Sequence, residues 1–457
     1  MNASGLVRAG AWAVGSLVAF AAVAYLVLVV ANWNDEPPSA DAERLAALTR
    51  ERPVLADPEN AYVHALGLAA PPAADPLALG SERKAYLDAY APSPSGHTSF
   101  ELPGEEADYR AARRADVAAL AAGCTDAPEC LEVLRANPDA LGHWLASERW
   151  LLERYRRMLG THGWRETVPT HVYAPLGVHG DVAEVQRLHL LEARQAALAQ
   201  DAATVRELLE RDFEFWRRVL ASSDTVISKM VAVAAVKRNL ALGGLALHAL
   251  PPDRIEAAMP ASWRQPLTVD ERSLARPLAG EWQLTRSSLS AIGWGGEHTP
   301  GASPRLVDRL LLRATFQAQA TANLAAARMV RLASLSELPY PALGNTVERM
   351  RESQDELPVR FRLYNPVGSM LHAFPVEPAY ADYIARVSDL EGLRRATLLV
   401  ATLRGHGVQR DDIAAAVRAS PLRNPYDDAP FGWDPDAGAV VFRGMEPGER
   451  GRYEVMF

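Results

Sequence analysis

Lysine is nearly missing from this chain. Only Lys84, Lys229 and Lys237 occur among 48 basic residues, so almost every cationic side chain is an arginine. With abundant alanine, that bias reads as GC-rich coding rather than an arginine-specific function. No block of basic residues is present and the formal charge is -8. Phosphate contacts supply most of the affinity for nucleic acid, so nucleic acid is excluded as an expected partner. Cysteine is as scarce, with Cys124 and Cys130 alone. A structural zinc site needs more ligands at tighter spacing, and a thioredoxin-type site needs C-x-x-C. The Gly-rich phosphate loop, the G-x-S-x-G elbow and the H-E-x-x-H helix are all absent. One S-x-x-K spacing occurs, Ser81 to Lys84, but the K-T-G strand such enzymes require does not. No catalytic, cofactor-binding or metal-binding set is therefore expected.

What the chain does have is a long uncharged run near its start. Ala9 to Ala31 reads AGAWAVGSLVAFAAVAYLVLVVA. At about 1.5 Å per residue a helix of this length crosses the roughly 30 Å hydrocarbon core of a bilayer. Trp12 and Trp33 stand near its ends, where aromatic rings favour the interface. Arg8 and the amino terminus precede the run, and Asp35 and Glu36 follow it, so the positive-inside rule puts residues 1–8 in the cytoplasm. A cleaved signal peptide is the competing reading, with Val29 and Ala31 as small residues before a cut. Its apolar stretch usually spans about 7 to 15 residues, so an uncleaved anchor over residues 9–31 is expected, with the bulk periplasmic. In that oxidising compartment Cys124 and Cys130, within GCTDAPEC, read as a local disulfide.

Beyond the anchor the expected fold is mainly α. Residues 32–104, rich in Pro and Ala, read as an arm that wraps the body, with short helices at Asp41–Arg50 and Asn60–Leu68. Residues 105–338 read as a bundle of antiparallel helical hairpins. Helix Pro138–Leu159 places Leu141, Leu145, Leu152, Tyr155 and Leu159 at spacings of three, four and seven. Three near-continuous helices follow at Asp181–Ala199, Asp201–Leu220 and Asp224–Leu250, with Asp201 as N-cap. Around Pro251–Pro304 the pattern loosens. A long helix is expected from Ser303 through RLVDRLLLRATFQAQATANLAAARMVRLASL, with Ser303 as cap and Pro304 in the first turn. Residues 339–457 then read as an irregular spacer to Pro375, a helix at Pro378–Arg404 and three short strands. In those strands Phe431, Trp433, Val440, Phe442, Tyr453, Val455 and Phe457 alternate onto one face. The third strand ends the chain as a sheet edge, a candidate docking surface at Tyr453, Val455 and Phe457.

The helix followed by NPYDDAPFGW and a short meander resembles the C-terminal part of type II secretion pseudopilins. That resemblance covers the last sixty to eighty residues; MNASGLVRAGAWAV carries no prepilin-peptidase site, so the chain is not itself a pseudopilin. Anchor, helical body and paired cysteines together are similar to single-pass envelope proteins of Gram-negative bacteria. One loop, THGWRETVPTHVYAPLGVHG, gathers His162, His171 and His179, with His189 just beyond. Imidazoles there could serve an unorthodox hydrolase, although the spacing is wide for a metal site and ordinary surface or packing roles suit it better. Asp427 and Asp428 read as a solvated turn rather than a calcium loop. Phe213, Phe215 and Trp216 read as core. The expected function is contact with other envelope proteins as an assembly or accessory factor, held to the lipid bilayer by residues 9–31. An envelope hydrolase and a periplasmic ligand-binding protein are the alternatives.

Overall fold

The structure is a computed structural model and describes residues 3–90, 101–110, 112–124, 127–171, 173–175, 177, 180–293, 306–352, 362–374 and 376–457. An apolar helix, α1 (Ala3–Ala31), leads into the arm, whose helices are α2 (Ala40–Arg50), α3 (Ala61–Leu66) and α4 (Pro76–Asp88). A first helical layer holds α5 (Ala115–Gly123), α6 (Ala127–Ala136), α7 (Ala140–Ser147) and α8 (Arg149–Leu159). Three long helices follow: α9 (Gly180–Leu198), α10 (Ala202–Ser222) and α11 (Val226–His248). After them come α12 (Pro252–Ala258), α13 (Val269–Arg272), α14 (Ala275–Gly293), α15 (Leu306–Thr315), α16 (Ala318–Ser336), α17 (Tyr340–Glu352) and α18 (Pro366–His372). The chain finishes with α19 (Glu377–Gly405), α20 (Ile413–Ala419) and strands β1 (Gly432–Asp434), β2 (Ala439–Arg443) and β3 (Arg452–Met456). The fold is mainly helical with a small antiparallel sheet, as the periodicity indicated.

Short joints and capping side chains turn α9, α10 and α11 back on one another. Asp201 accepts from Thr204 N–H at 3.1 Å as the N-cap of α10, and Thr225 accepts from Ser228 N–H at the start of α11. α11 is apolar and long enough to cross a membrane, yet it is mostly buried inside the body. Between these helices the Asp212 carboxylate is fully buried. It accepts from Tyr155 Oη at 2.5 Å, Gln186 Nε2 at 3.0 Å and Asn239 Nδ2 at 2.9 Å, so one group draws on α8, α9 and α11 from α10. A single apolar cluster runs from Ala42 in the arm to Phe442 in the sheet, and a small separate one gathers Leu289, Phe316 and Ala322.

The arm does wrap. α2 lies against α14 and α16, and α3 against α4 and α8. Buried Arg83 of α4 reaches Leu66 C=O at 2.8 Å and Asp108 at 2.8 Å, tying the arm to its own exit. Cys124 and Cys130 are bonded, their Cα atoms 4.0 Å apart, and join the end of α5 to α6.

Several boundaries differ from the sequence reading. The helix expected over Pro138–Leu159 is two, broken at Glu148, whose buried carboxylate accepts from Arg113 Nε and Trp144 Nε1 at 2.8 Å each. The long helix expected from Ser303 is also two. It breaks at Gln317, whose N–H goes to Asn365 Oδ1 at 3.0 Å and whose amide goes to Asn32 C=O at 2.6 Å. Its expected cap, Ser303–Pro304, lies outside the described residues. The two stretches read as irregular hold α12, α13, α14, α17 and α18, because tertiary packing stabilises helices whose apolar stripes are short.

The sheet is a meander, β1–β2–β3, with Trp433, Val440 and Val455 in register on one face and Phe442 beside Tyr453. α19 covers that face, where Val387, Leu390 and Phe442 are fully buried. Gly392 admits the Phe442 ring: a Cβ there would overlap it. Gly392→Ala is expected to lower stability by about 1–3 kcal/mol in denaturant titration, the usual result of overfilling a packed core. Replacing both cysteines with serine should lower it by about 2 kcal/mol, since a short closed loop restrains the unfolded chain only modestly. Recovery of a single Cys124–Cys130 linked peptide in non-reducing mass spectrometry checks the bond itself.

Candidate functional site

A groove of about 600 Å³ lies between α11 and the last strand, with Ala127 and Pro128 of α6 also in its lining. Lys237, Arg238 and His248 line it from α11, and Arg452, Tyr453 and Glu454 line it from β3. A buried polar cluster fixes the strand there. Tyr453 donates to Glu446 Oε2 at 2.6 Å, and Lys237 Nζ donates to Glu446 at 2.8 Å and to Tyr453 Oη at 2.9 Å. Behind them Asp389 of α19 accepts from Tyr426 Oη at 2.6 Å and from the N–H groups of Met445 and Glu446. Burial pushes the Asp389 carboxyl up from its ordinary range. Burial acts the same way on Glu446, but its bonds to Lys237 and Tyr453 outweigh it and hold that carboxyl low.

Backbone hydrogen bonds show which side of β3 is unpaired. Gly444 N–H reaches Gly451 C=O at 2.8 Å, and Phe457 N–H reaches Gly438 C=O at 3.0 Å. In an antiparallel ladder bonded pairs alternate, so Tyr453 and Val455 turn their backbone groups to β2. Glu454 and Met456 turn theirs to the other edge, which no strand pairs among the described residues. Of the three residues expected at a docking surface, Tyr453 is committed to the polar cluster. Val455 and Phe457 are part-buried, and His248 lies 3.2 Å from Phe457 C=O. The edge itself therefore depends on Glu454 and Met456, which the alternation of apolar residues did not single out.

The histidine loop makes a different place. His162 is exposed, 3.8 Å from Glu59. His171 accepts from Tyr173 N–H at 3.2 Å and stands beside the Tyr90 ring. His189 is buried in α9 against Tyr155, with Nε2 3.1 Å from Leu208 C=O. His179 lies outside the described residues. The other three do not converge, and among the described residues no group of three or more His, Cys, Asp or Glu gathers to hold a metal. Lys84 of the S-x-x-K segment bonds Asp88 at 2.5 Å instead of facing Ser81.

That loop is anchored by residues the sequence reading passed over. Asn60 is fully buried, donates to Arg165 C=O at 2.8 Å and accepts from Arg165 N–H at 2.9 Å. Next to it, the Glu166 carboxylate caps α11. It accepts from Asp224 N–H at 2.6 Å, Thr225 N–H at 3.0 Å, Thr225 Oγ1 at 2.9 Å and the Ser228 hydroxyl. Arg52 from the arm pairs with Asp224, and Arg276 of α14 stands 3.5 Å from it. A cleft of about 110 Å³ opens between Glu166, Tyr62 and Glu281. Burial raises the carboxyls of both acids, that of Glu166 to about 7. Every lone-pair direction of Glu166 is already used by a donor, so its arrangement is that of a cap and not of a free acid or base. The one sequence signal was Thr225 with Ser228 three residues on, at the start of an apolar helix.

No family model, curated protein or solved structure matches the chain.

The Glu166 cap has a measurable pH signature. Its folded-state pKa lies above the unfolded one, so its contribution is full below about 4.5 and is lost as pH rises through about 7. Wild type should thus gain up to about 3 kcal/mol on acidification across that window from this group, at about 1.4 kcal/mol per unit. Glu166→Gln should lack that gain when denaturant midpoints are compared at pH 4.5 and 7.

Proposed function

We propose that this chain is a single-pass inner-membrane protein with its N-terminus in the cytoplasm and its bulk in the periplasm. It acts there as an envelope assembly or accessory factor by taking an extended segment of a partner protein along β3. The observation that carries the reading is the unpaired edge at Glu454 and Met456, opening on a groove of about 600 Å³. Strand addition draws its affinity from main-chain hydrogen bonds and its selectivity from flanking side-chain pockets, and such a groove supplies both. The Tyr453–Lys237–Glu446 cluster supports it by holding the edge in one register before any partner arrives. α1 supports the anchor: it is long and apolar enough to cross a membrane, and most of its described apolar side chains, Leu17 and Phe20 among them, are exposed, while Leu28 and Val29 are part-buried. The disulfide suits an oxidising compartment. A hydrolase in the histidine loop has less support, because His162, His171 and His189 face three different environments.

Two experiments test it. A reporter active only outside the cytoplasm, fused after Phe457, should be active; an inactive one in a stably expressed protein sinks the compartment assignment. A photo-crosslinking residue at Met456 of the full-length chain should capture a discrete protein, and Glu454→Pro should abolish that product. Proline removes an edge N–H without touching the bonds to β2, so the melting temperature should hardly change. Persistence of the crosslink in the proline variant argues against strand addition.

A further inference from the structure

A second surface lies where α1 meets the body. The end of α1 does not leave through a loose tether. Asn32 is buried, donates to Leu363 C=O at 2.9 Å and accepts from Asn365 N–H at 2.7 Å. Gln317 donates to Asn32 C=O, and Asp35 accepts from the N–H groups of Gln319 and Ala320 at the start of α16. Ser39 N–H then donates to Asn323 Oδ1 at 2.9 Å. Eight residues after Ala31 are thereby fixed to α16 and to the segment before α18.

One contact reaches further down. Tyr25 Oη donates to Leu310 C=O of α15 at 3.3 Å, and α1 and α15 lie side by side. Tyr25 precedes Ala31 by six residues, which is about 9 Å along a helix. The uncharged run of residues 9–31 exceeds the roughly 20 residues a bilayer core demands by only about three. Tyr25 therefore cannot rise out of the membrane with the end of α1, and Leu310 must accompany it to the acyl boundary. Helices that lie in a membrane interface sit about 5–10 Å deep, which is the depth this contact requires.

The side chains around that contact match such a place. Leu310 and Leu311 of α15 and Leu363, Met370, Leu371 and Phe374 around α18 are all exposed, Phe374 by 63%. Arg313 and Arg362 are exposed near them, placed to meet lipid phosphates. Under this patch Leu289, Phe316 and Ala322 form the small apolar cluster that is separate from the main core. The patch thus has its own support and is continuous with the exposed flank of α1.

We infer that α15 and the α18 corner form a lipid-docking face that sinks into the outer surface of the same bilayer α1 crosses, so that the body is held on the membrane rather than swinging from it. This rests on the anchor reading of α1. The test keeps the two apart. Single cysteines at Leu17, Leu311, Phe374 and Leu198 of the full-length chain are labelled with a fluorophore, the native pair being bonded to itself, and the protein is placed in nanodiscs with brominated lipid. Labels at Leu17, Leu311 and Phe374 should lose fluorescence to the bromines, while Leu198, exposed at the end of α9, should not. Quenching at Leu17 without quenching at Leu311 and Phe374 overturns the docking face and leaves the patch to a protein cover. Absence of quenching at Leu17 overturns the anchor and the face together.

Discussion

The buried carboxylate of Asp212 is the constraint on which the helical body is arranged. A buried polar group costs free energy unless its hydrogen bonds are met, and here each partner comes from a different helix. Tyr155 belongs to α8, Gln186 to α9 and Asn239 to α11. A second ring of donors holds those partners in turn: Trp216 Nε1 donates to Tyr155 Oη at 2.9 Å, and Trp263 Nε1 to Asn239 Oδ1 at 3.0 Å. Apolar packing alone would allow four leucine- and alanine-rich helices to slide by a turn. Sliding here would strand a buried polar group without its partners, so one alignment is strongly favoured.

From that alignment the N-terminus and the middle of α11 acquire their settings. Its N-terminus receives Glu166 and so draws in the glycine- and proline-rich loop, which Asn60 fixes to the arm. Lys229, one turn in, is buried and bonds Leu220 C=O at 2.6 Å and Glu271 C=O at 2.8 Å; burial lowers its pKa to about 7. Lys237, two turns on, reaches Glu446 and Tyr453 and fixes the sheet. Two of the three lysines thus stand where a compact ammonium meets acceptors that converge on one point, a geometry the planar fork of arginine fits poorly.

The arm, which a sequence reading places as a wrapping segment, is also the link between α1 and the body. Residues 32–39 cap the start of α16, α2 fills the space between α14 and α16, and Arg52 closes on Asp224. A flexible tether between α1 and the body would need none of these bonds. Their presence makes the orientation of the β3 groove relative to α1 a fixed property of the fold.

By itself the sequence determined the fold class, the apolar helix and the cysteine pair. It also determined the three long helices and the meander with its apolar face, because each is written in local periodicity, capping or spacing. Helix breaks at Glu148 and Gln317 were not legible, since in each case a partner distant in the chain, Arg113 or Asn365, takes the side chain or backbone away from the helix. The helices α14 and α17 escaped for the converse reason: their apolar stripes are short and are stabilised by packing. The site was legible only in outline. Alternation marked Tyr453, Val455 and Phe457, but which residues present free backbone groups follows from the pairing register with β2, which only the tertiary structure decides. The histidines looked like a cluster because the chain places them close together; the fold sends His189 into the core and leaves His162 on the surface, since sequence proximity across a helix start says nothing about direction in space.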